Sequence, residues 1–390
     1  MNWLILILLI PAIYFGMASL YQLILALASK TYRNHLQAVV DQKKSWVLVP
    51  AYREDAVILY SVSQNLKVLQ DHPHWTLAVI ADQLKKETIV QLEEMGAEVI
   101  PVAFEKSTKV KALNAALASS LSNRGFDLLV ILDADNIMDS NFVLEAEKNA
   151  SRGFRVIQGE RLATNTGRPI ELLDALSEKA NQELLCKGAN KLGLSSKLTG
   201  SAMVLDFELA QEVMPQLQAV GGFDKEMELW LTSRGEYIHY APEIQVWDEK
   251  VRTHSAFAKQ RGRWLESQYT FFKKSIRPAV LGLFSGNVDY FHKSIQLALP
   301  PRALAPVGIA VGIMLSGLIG SQFLTGIFLF AFLALTVSYL LVLPSSLWTR
   351  HWKTILLSLP GLFLAAFKAL TWMKKSKTQF LHTAHQSTES

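Results

Sequence analysis

The apolar positions of this chain fall into three regimes. Residues 3–27 are apolar apart from a few uncharged polar side chains, a length that suits a membrane span. No charged stretch precedes them and no clear small-residue cleavage site follows, so the segment reads as an anchor and not a removed signal peptide. Between Ser45 and Ala150 the pattern changes to short apolar runs alternating with amphipathic stretches. Strands are expected at 46–50, at 77–80 running on to Asp82, near 98–102, and at 128–132 ending on Asp133. Helices are expected at 55–69, near 85–95 and at 109–121. That alternation predicts βαβ units with right-handed crossovers. The five consecutive apolar residues at 128–132 read as a strand buried on both faces, as in a parallel α/β sheet.

The pattern is less regular from 151 to 270. A short strand is expected at 156–158, a helix at 169–189 and a small-residue turn feeding a strand at 198–205. A turn at 221–224 leads into a helix through Glu228 and Trp230. Residues 254–272 form a basic, aromatic, amphipathic helix, and 287–302 a candidate interfacial helix. The third regime begins at Ala303. Residues 303–343 carry no charge and, at about 1.5 Å per residue, are long enough for two spans, with the reversal at Gly320-Ser321-Gln322. A further apolar stretch at 354–373 is interrupted by Pro360-Gly361 and contains Lys368. Lys30, Arg33, Lys43 and Lys44 place the region after the anchor in the cytoplasm. If every apolar stretch crossed, the Lys-rich tail would lie outside, against the positive-inside tendency. The Pro-Gly break and Lys368 therefore assign 354–373 to the interface or to a re-entrant path. The expected organisation is an anchor at 1–29, a cytoplasmic catalytic domain at 45–275, an interfacial region at 276–302, membrane segments at 303–373 and a cytoplasmic tail at 374–390.

Composition narrows the classes. Half the residues are hydrophobic and the mean hydropathy is +0.19, which argues against a wholly soluble protein. The net charge of +5 is modest, and no basic-aromatic array favours nucleic acid. The single cysteine, Cys186, excludes an intramolecular disulfide and a cysteine zinc site, and reads as a small core residue. No G-x-G-x-x-G follows the first strand and no G-x-x-x-x-G-K-[ST] occurs, which counts against a dinucleotide oxidoreductase and a P-loop NTPase. The phosphate-handling feature is acidic instead. Asp133-Ala134-Asp135 stands where such sheets bind ligands, just beyond a strand's carboxyl end. The pair either holds a hard divalent cation and through it a diphosphate, or caps the next helix.

Five motifs in order carry a resemblance. Val49-Pro50-Ala51-Tyr52-Arg53-Glu54-Asp55 is similar to a P-A-Y-N-E-E loop, with Arg53 in place of the usual Asn. Asp82 follows the second strand. Lys111-Ala112-Leu113-Asn114 is similar to a K-x-x-A-L-N helix start. Asp133-Ala134-Asp135 is the fourth. The fifth has two parts: Gly222-Phe223-Asp224-Lys225-Glu226 aligns with a T-E-D segment, Phe223 standing where Glu is usual, and Gln260-Arg261-Gly262-Arg263-Trp264 completes Q-x-x-R-W. Together they resemble the membrane-integrated family 2 glycosyltransferases, the group of cellulose, hyaluronan and chitin synthases, over roughly residues 45–270.

The resemblance implies an α/β GT-A (Rossmann-like) catalytic domain flanked by transmembrane and interfacial helices. It implies that Asp135, with Asp133, ligates Mn²⁺ or Mg²⁺. Glu54, Asp82, Lys111, Asp133, Gln260 and Arg263 would bind the nucleotide sugar, a UDP-sugar. Asp224 would be the base of an inverting transfer, with Glu226 the weaker candidate. Trp264, Gly200 and Ser201 would line the acceptor site. Gln260, Arg263 and Trp264 fall on one helical face. The tail at 380–385 loosely resembles the gating loop of cellulose synthases. The acceptor is a growing glycan or a lipid-linked hydroxyl, and the expected setting is the bacterial inner membrane, with export or accessory subunits as further partners. Three readings stay open: a processive polysaccharide synthase, a single-transfer glycolipid enzyme, and a non-catalytic membrane scaffold, which Arg53 and Phe223 keep in play.

Overall fold

The computed structural model describes residues 2–34 and 40–376. The chain begins with helix α1 (Asn2–Ser29), continuous through Pro11. It then alternates: β1 (Ser45–Tyr52), α2 (Ile58–Leu69), β2 (Trp75–Asp82), α3 (Lys86–Glu94), β3 (Glu98–Val102), α4 (Lys109–Leu117) and β4 (Leu128–Ile131). Next come β5 (Ile137–Met138), α5 (Phe142–Ser151), β6 (Val156–Ala163), α6 (Pro169–Asn181), a π-helical turn at Gln182–Gly188 and α7 (Ala189–Lys191). The sheet-bearing half closes with β7 (Met203–Asp206), α8 (Phe207–Val213), α9 (Phe223–Ser233), β8 (Ile238–Asp248) and α10 (His254–Phe284). Helices α11 (Val288–Leu297), α12 (Ala305–Leu318), α13 (Gln322–Val342) and α14 (Ser345–Ser376) follow.

Among the described residues eight strands form one sheet in the order β3-β2-β1-β4-β7-β6-β8-β5. The first four are parallel, as their βαβ pattern requires. Beyond β4 the sheet is mixed: β7 runs antiparallel to β4 and β6, while β6 and β8 are parallel. The uniform apolar run 128–132 reports burial on both faces, which this neighbourhood supplies with one parallel and one antiparallel partner. Two apolar layers sandwich the sheet, one gathering Trp46, Leu48, Ile131 and Phe207, the other Val47, Val49, Val130 and Phe142. The alternation along β1 thus splits its side chains between the layers. The order reverses between β1 and β4, and such a switch point opens a crevice at the strands' carboxyl ends.

Several elements depart from the pattern-based expectation. The helix expected at 169–189 is α6 followed by the π turn, where Gly188 lies against α1. A Cβ on Gly188 would stand 2.4 Å from the backbone oxygen of Leu25. The basic-aromatic helix runs on to Phe284, passing through Pro278. Strand β8 and helices α5 and α8 have no counterpart in the pattern reading.

Among the described residues, three helices are long and apolar enough to cross a membrane: Trp3–Ser29, Gln322–Val342 and His351–Met373. Only one full span falls within 303–343. The other half, Ala305–Leu318, is a shorter apolar helix of 14 residues, roughly 21 Å against a hydrocarbon core of about 30 Å. Helix α14 is continuous through Pro360-Gly361, so the break is not a reversal. It packs on α10, where Gly262 meets Ala369 and Trp372 and His254 meets Gly361. The tail match at 380–385 lies outside the described residues.

Candidate active site

The crevice at the switch point is a cavity of about 850 Å³, a size suited to a ligand larger than a simple metabolite. Its walls come from the ends of β1, β2 and β4, the starts of α4, α9 and α10, and residues of α1, α6 and α14.

At the β1 end, Arg53 and Gln83 both adopt left-handed backbone, with φ of 55° and 57°. Asn tolerates that region and long side chains do so less well. The arginine is secured by two hydrogen bonds to Gln83 Oε1, 2.9 Å from Nε and 2.5 Å from Nη2. Asp55 ties the same loop to α3 by accepting from Lys85 N and Thr88 Oγ1. Glu54 and Asp82 then face the cavity. Asp82 is buried and its Oδ1 has no partner among the described residues, which leaves an acceptor open to a donor.

The Asp133-Ala134-Asp135 turn is fastened from beneath. Asp133 N donates to Ser201 Oγ at 2.9 Å. Ser201 Oγ bonds Asn136 Oδ1, Ser61 Oγ holds Ala134 O, and Asn65 brackets Asn136 O and Met138 N. With those groups engaged, both carboxylates project to the cavity. Asp135 accepts from Asn136 Nδ2 at 3.1 Å and from Glu249 N at 3.3 Å. Asp133 Oδ1 accepts from Lys109 Nζ at 2.5 Å, and the same ammonium donates to Gly200 O at 2.7 Å. Oxygen donors of this kind suit Mn²⁺ or Mg²⁺. Among the described residues no group of three or more His, Cys, Asp or Glu is arranged to hold a metal. A cation here would complete its shell with substrate phosphate and water, as Mg²⁺ commonly does with one or two carboxylates.

Two expected residues are not on the cavity wall. Lys111 turns away, its Nζ on Lys106 O at 2.9 Å; the lysine that enters is Lys109, two residues earlier on α4. Ser201 lies beneath the acidic turn, while its neighbour Gly200 is on the wall. Gly200 has φ +83°, and a Cβ there would lie 3.5 Å from the Phe223 ring. Phe223 therefore closes over Gly200 and also under the Lys109 ammonium, 5.4 Å from its centroid.

Asp224 reaches the wall from the first turn of α9, with Lys225 Nζ at 3.3 Å. Glu226 also lines the cavity, but its Oε2 accepts from Gln218 N and Ala219 N at 2.9 and 2.7 Å. That carboxylate closes its own loop. On α10, Gln260, Arg263 and Trp264 all line the cavity. Gln260 Oε1 is buried without a partner. Burial pulls the Arg263 guanidinium below its usual range, while Asp133 opposite it acts the other way. Arg261 stacks on the Trp264 ring at 4.2 Å and pairs with Asp174.

A charged network missed in the pattern reading backs the acidic turn. Arg161 pairs with Asp248 and, at 3.5 Å, with Glu178; Lys250 pairs with both. Burial alone would pull Arg161 down, but the facing carboxylates, Asp248, Glu178, Asp133 and Asp135, hold it well above its ordinary value. It stays a cation beside the acidic pair. These residues lie on separate elements at no recognisable spacing, so no local signal marked them.

A family model described as Glycosyltransferase like family 2 matches residues 44–267. The chain belongs to this family. The protein is therefore a glycosyltransferase, and the mixed, curled sheet is its GT-A-like fold. Among solved structures it is similar to the mannosyltransferase PcManGT from Pyrobaculum calidifontis, in complex with GDP-Man and Mn²⁺. Identity there is 17%, coverage 95% of this chain and 99% of that one, and the TM-score 0.58. It is also similar to glucosyl-3-phosphoglycerate synthase from Mycobacterium tuberculosis, in complex with Mn²⁺, UDP and phosphoglyceric acid. Identity is again 17%, coverage 58% of this chain and 74% of that one, and the TM-score 0.39. No curated protein sequence matches this glycosyltransferase significantly.

Proposed function

We propose that this glycosyltransferase is membrane-anchored and inverting. It moves a sugar from a nucleoside diphosphate donor, UDP-linked, to a hydroxyl of a glycan or lipid-linked acceptor at the cytoplasmic face of the bacterial inner membrane. The observation that carries this reading is convergence. Asp133 and Asp135, Asp224, and the Gln260-to-Trp264 face come from distant parts of the chain and line one cavity.

The base of the nucleotide presents an N–H to the unpartnered Asp82 Oδ1, with Glu54 beside it. Asp135, with Asp133, would hold Mn²⁺ or Mg²⁺, which when bound neutralises charge on the diphosphate. Arg263, Arg161 and Lys109 add fixed positive charge around the leaving group. Asp224 accepts the proton of the acceptor hydroxyl as its oxygen bonds to the anomeric carbon, and the bond from that carbon to the diphosphate breaks. Trp264 offers a flat apolar face for a sugar ring, and Gly200 leaves room beside it. The basic flank after α1 keeps the domain on the cytoplasmic side. The packing of α14 on α10 favours an interfacial course for α14. The resemblance to cellulose and chitin synthases supports a processive version, and the small number of long apolar helices supports a single-transfer version; product length on a gel separates them.

The test is release of nucleoside diphosphate by the full chain in nanodiscs, across UDP- and GDP-sugars with Mn²⁺ or Mg²⁺. Metal-dependent turnover of one donor, lost in Asp135→Ala, is the expected result. Absence of donor binding in the wild type would overturn the assignment in favour of a scaffold.

A further inference from the structure

The cavity continues past Asp224 to a second wall made by Gln22 of α1 and the 299–303 segment that leads into α12. Two cations on that wall have no anionic partner. Lys197 Nζ makes no hydrogen bond or ion pair among the described residues. Arg302 donates Nη1 to the neutral Ser177 O at 2.6 Å, and the groups facing it, Tyr339, Arg261 and Cys186, include no carboxylate. The nearest acids are already engaged: Asp224 with Lys225, and Glu228 with Leu198 N and Lys293. Burial, with Lys225 and Arg302 nearby, pushes the Lys197 ammonium down to about 8 against the opposing pull of the Glu228 and Asp224 carboxylates. Both side chains are half-buried in the cavity wall, where an unpaired charge is less well solvated than in open water. The donor diphosphate has its own cations, Lys109, Arg161 and Arg263, grouped around Asp133. Excess positive charge at the opposite, membrane-helix end calls for a different anion, and the apolar residues Leu297, Leu299 and Pro300 beside it call for a chain.

We propose that Lys197 and Arg302 hold the phosphate or diphosphate head group of a lipid-linked acceptor. This deepens the acceptor assignment above and rests on it. Lys197 is near enough to Asp224 for their charges to interact, so the held head group sits beside the reacting hydroxyl. The phosphate is a handle and is not consumed.

Binding to the full chain in nanodiscs, with the donor site filled by saturating nucleoside diphosphate and Mn²⁺, tests this with three probes: farnesyl diphosphate, farnesol and inorganic diphosphate. Farnesyl diphosphate should bind at least about tenfold more tightly than either fragment, and the doubly substituted Lys197→Met/Arg302→Met protein should lose that advantage. Lys197→Arg, which keeps the charge, should retain it. Equal binding of farnesol would remove the anion requirement, and equal binding of inorganic diphosphate would assign the site to a free anion; either overturns the proposal. So would loss of thermal stability together with binding in both K197M and K197R, which marks a structural role. Metal-dependent nucleotide binding, and its loss in Asp135→Ala, reports separately on the parent reading. It should be unchanged in the Lys197 and Arg302 variants.

Discussion

Lys109→Met, compared with Lys111→Met, separates what the fold presents from what the motif suggested. The Lys109 ammonium joins Asp133, Gly200 O and the Phe223 ring, three parts of the site carried by different elements. Its ion pair is partly exposed, with side-chain accessibilities of 20% for Lys109 and 37% for Asp133. Solvent screening then limits its contribution to stability to about 0–1 kcal/mol. Its effect on activity should be larger. The substitution removes a charged donor from the diphosphate side of the cavity and releases Gly200, whose missing Cβ lies 3.9 Å from Asp224 Cβ. Hydrogen bonds to charged groups are worth about 1.5–3 kcal/mol, which converts to roughly 10- to 150-fold in kcat/KM. Lys111 touches only the chain before its own helix and the Phe104 face, so its replacement should leave kcat/KM within about twofold. Nucleoside diphosphate release at varied donor concentration gives both values, and thermal unfolding checks that both variants fold. Equal losses in the two variants, or an unaffected Lys109→Met enzyme, would refute the reasoning.

Three further outcomes follow from the packing and the titratable groups. Asp224→Asn should lower kcat by about 10²- to 10⁴-fold, whereas Glu226→Gln, which keeps an acceptor for its loop amides, should keep most activity; the reverse ranking in single-turnover assays would reassign the base. Gly188→Ala forces a methyl into the Leu25 backbone and should destabilise by about 1–3 kcal/mol, seen as a lower melting midpoint in detergent, while Gly326→Ala on α13, which meets nothing, should not. Burial pushes His239 and His292 down to about 3, aided by Arg152 and Lys293 respectively. Below pH 6.5 the unfolded chain therefore binds more protons, and each histidine's contribution, complete above that value, falls by about 1 kcal/mol per unit as pH drops towards 3. A melting midpoint unchanged between pH 7.5 and 5 would show that neither is held neutral.

The sequence by itself was enough for the parallel half of the sheet and for the acidic residues at its strand ends. Burial on both faces writes a continuous apolar run, and the carboxylates of Asp82, Asp133 and Asp135 mark where such runs reach the crevice. The helical spacing of Gln260, Arg263 and Trp264 likewise set their common face, because a helix repeats every 3.6 residues wherever it packs. Only the tertiary structure decided between Lys109 and Lys111. Both flank the same helix start, and the choice rests on which side of α4 faces Asp133 and Gly200, elements far apart in the chain. It also showed that Glu226 is engaged by backbone amides of its own loop, which no local pattern announced. The Arg161, Asp248, Lys250 and Glu178 network and the unpartnered Lys197 and Arg302 left no local trace. Single charged residues in a sequence look alike whether they meet water, a counter-ion or an empty wall, and their meaning comes from what the fold places opposite them.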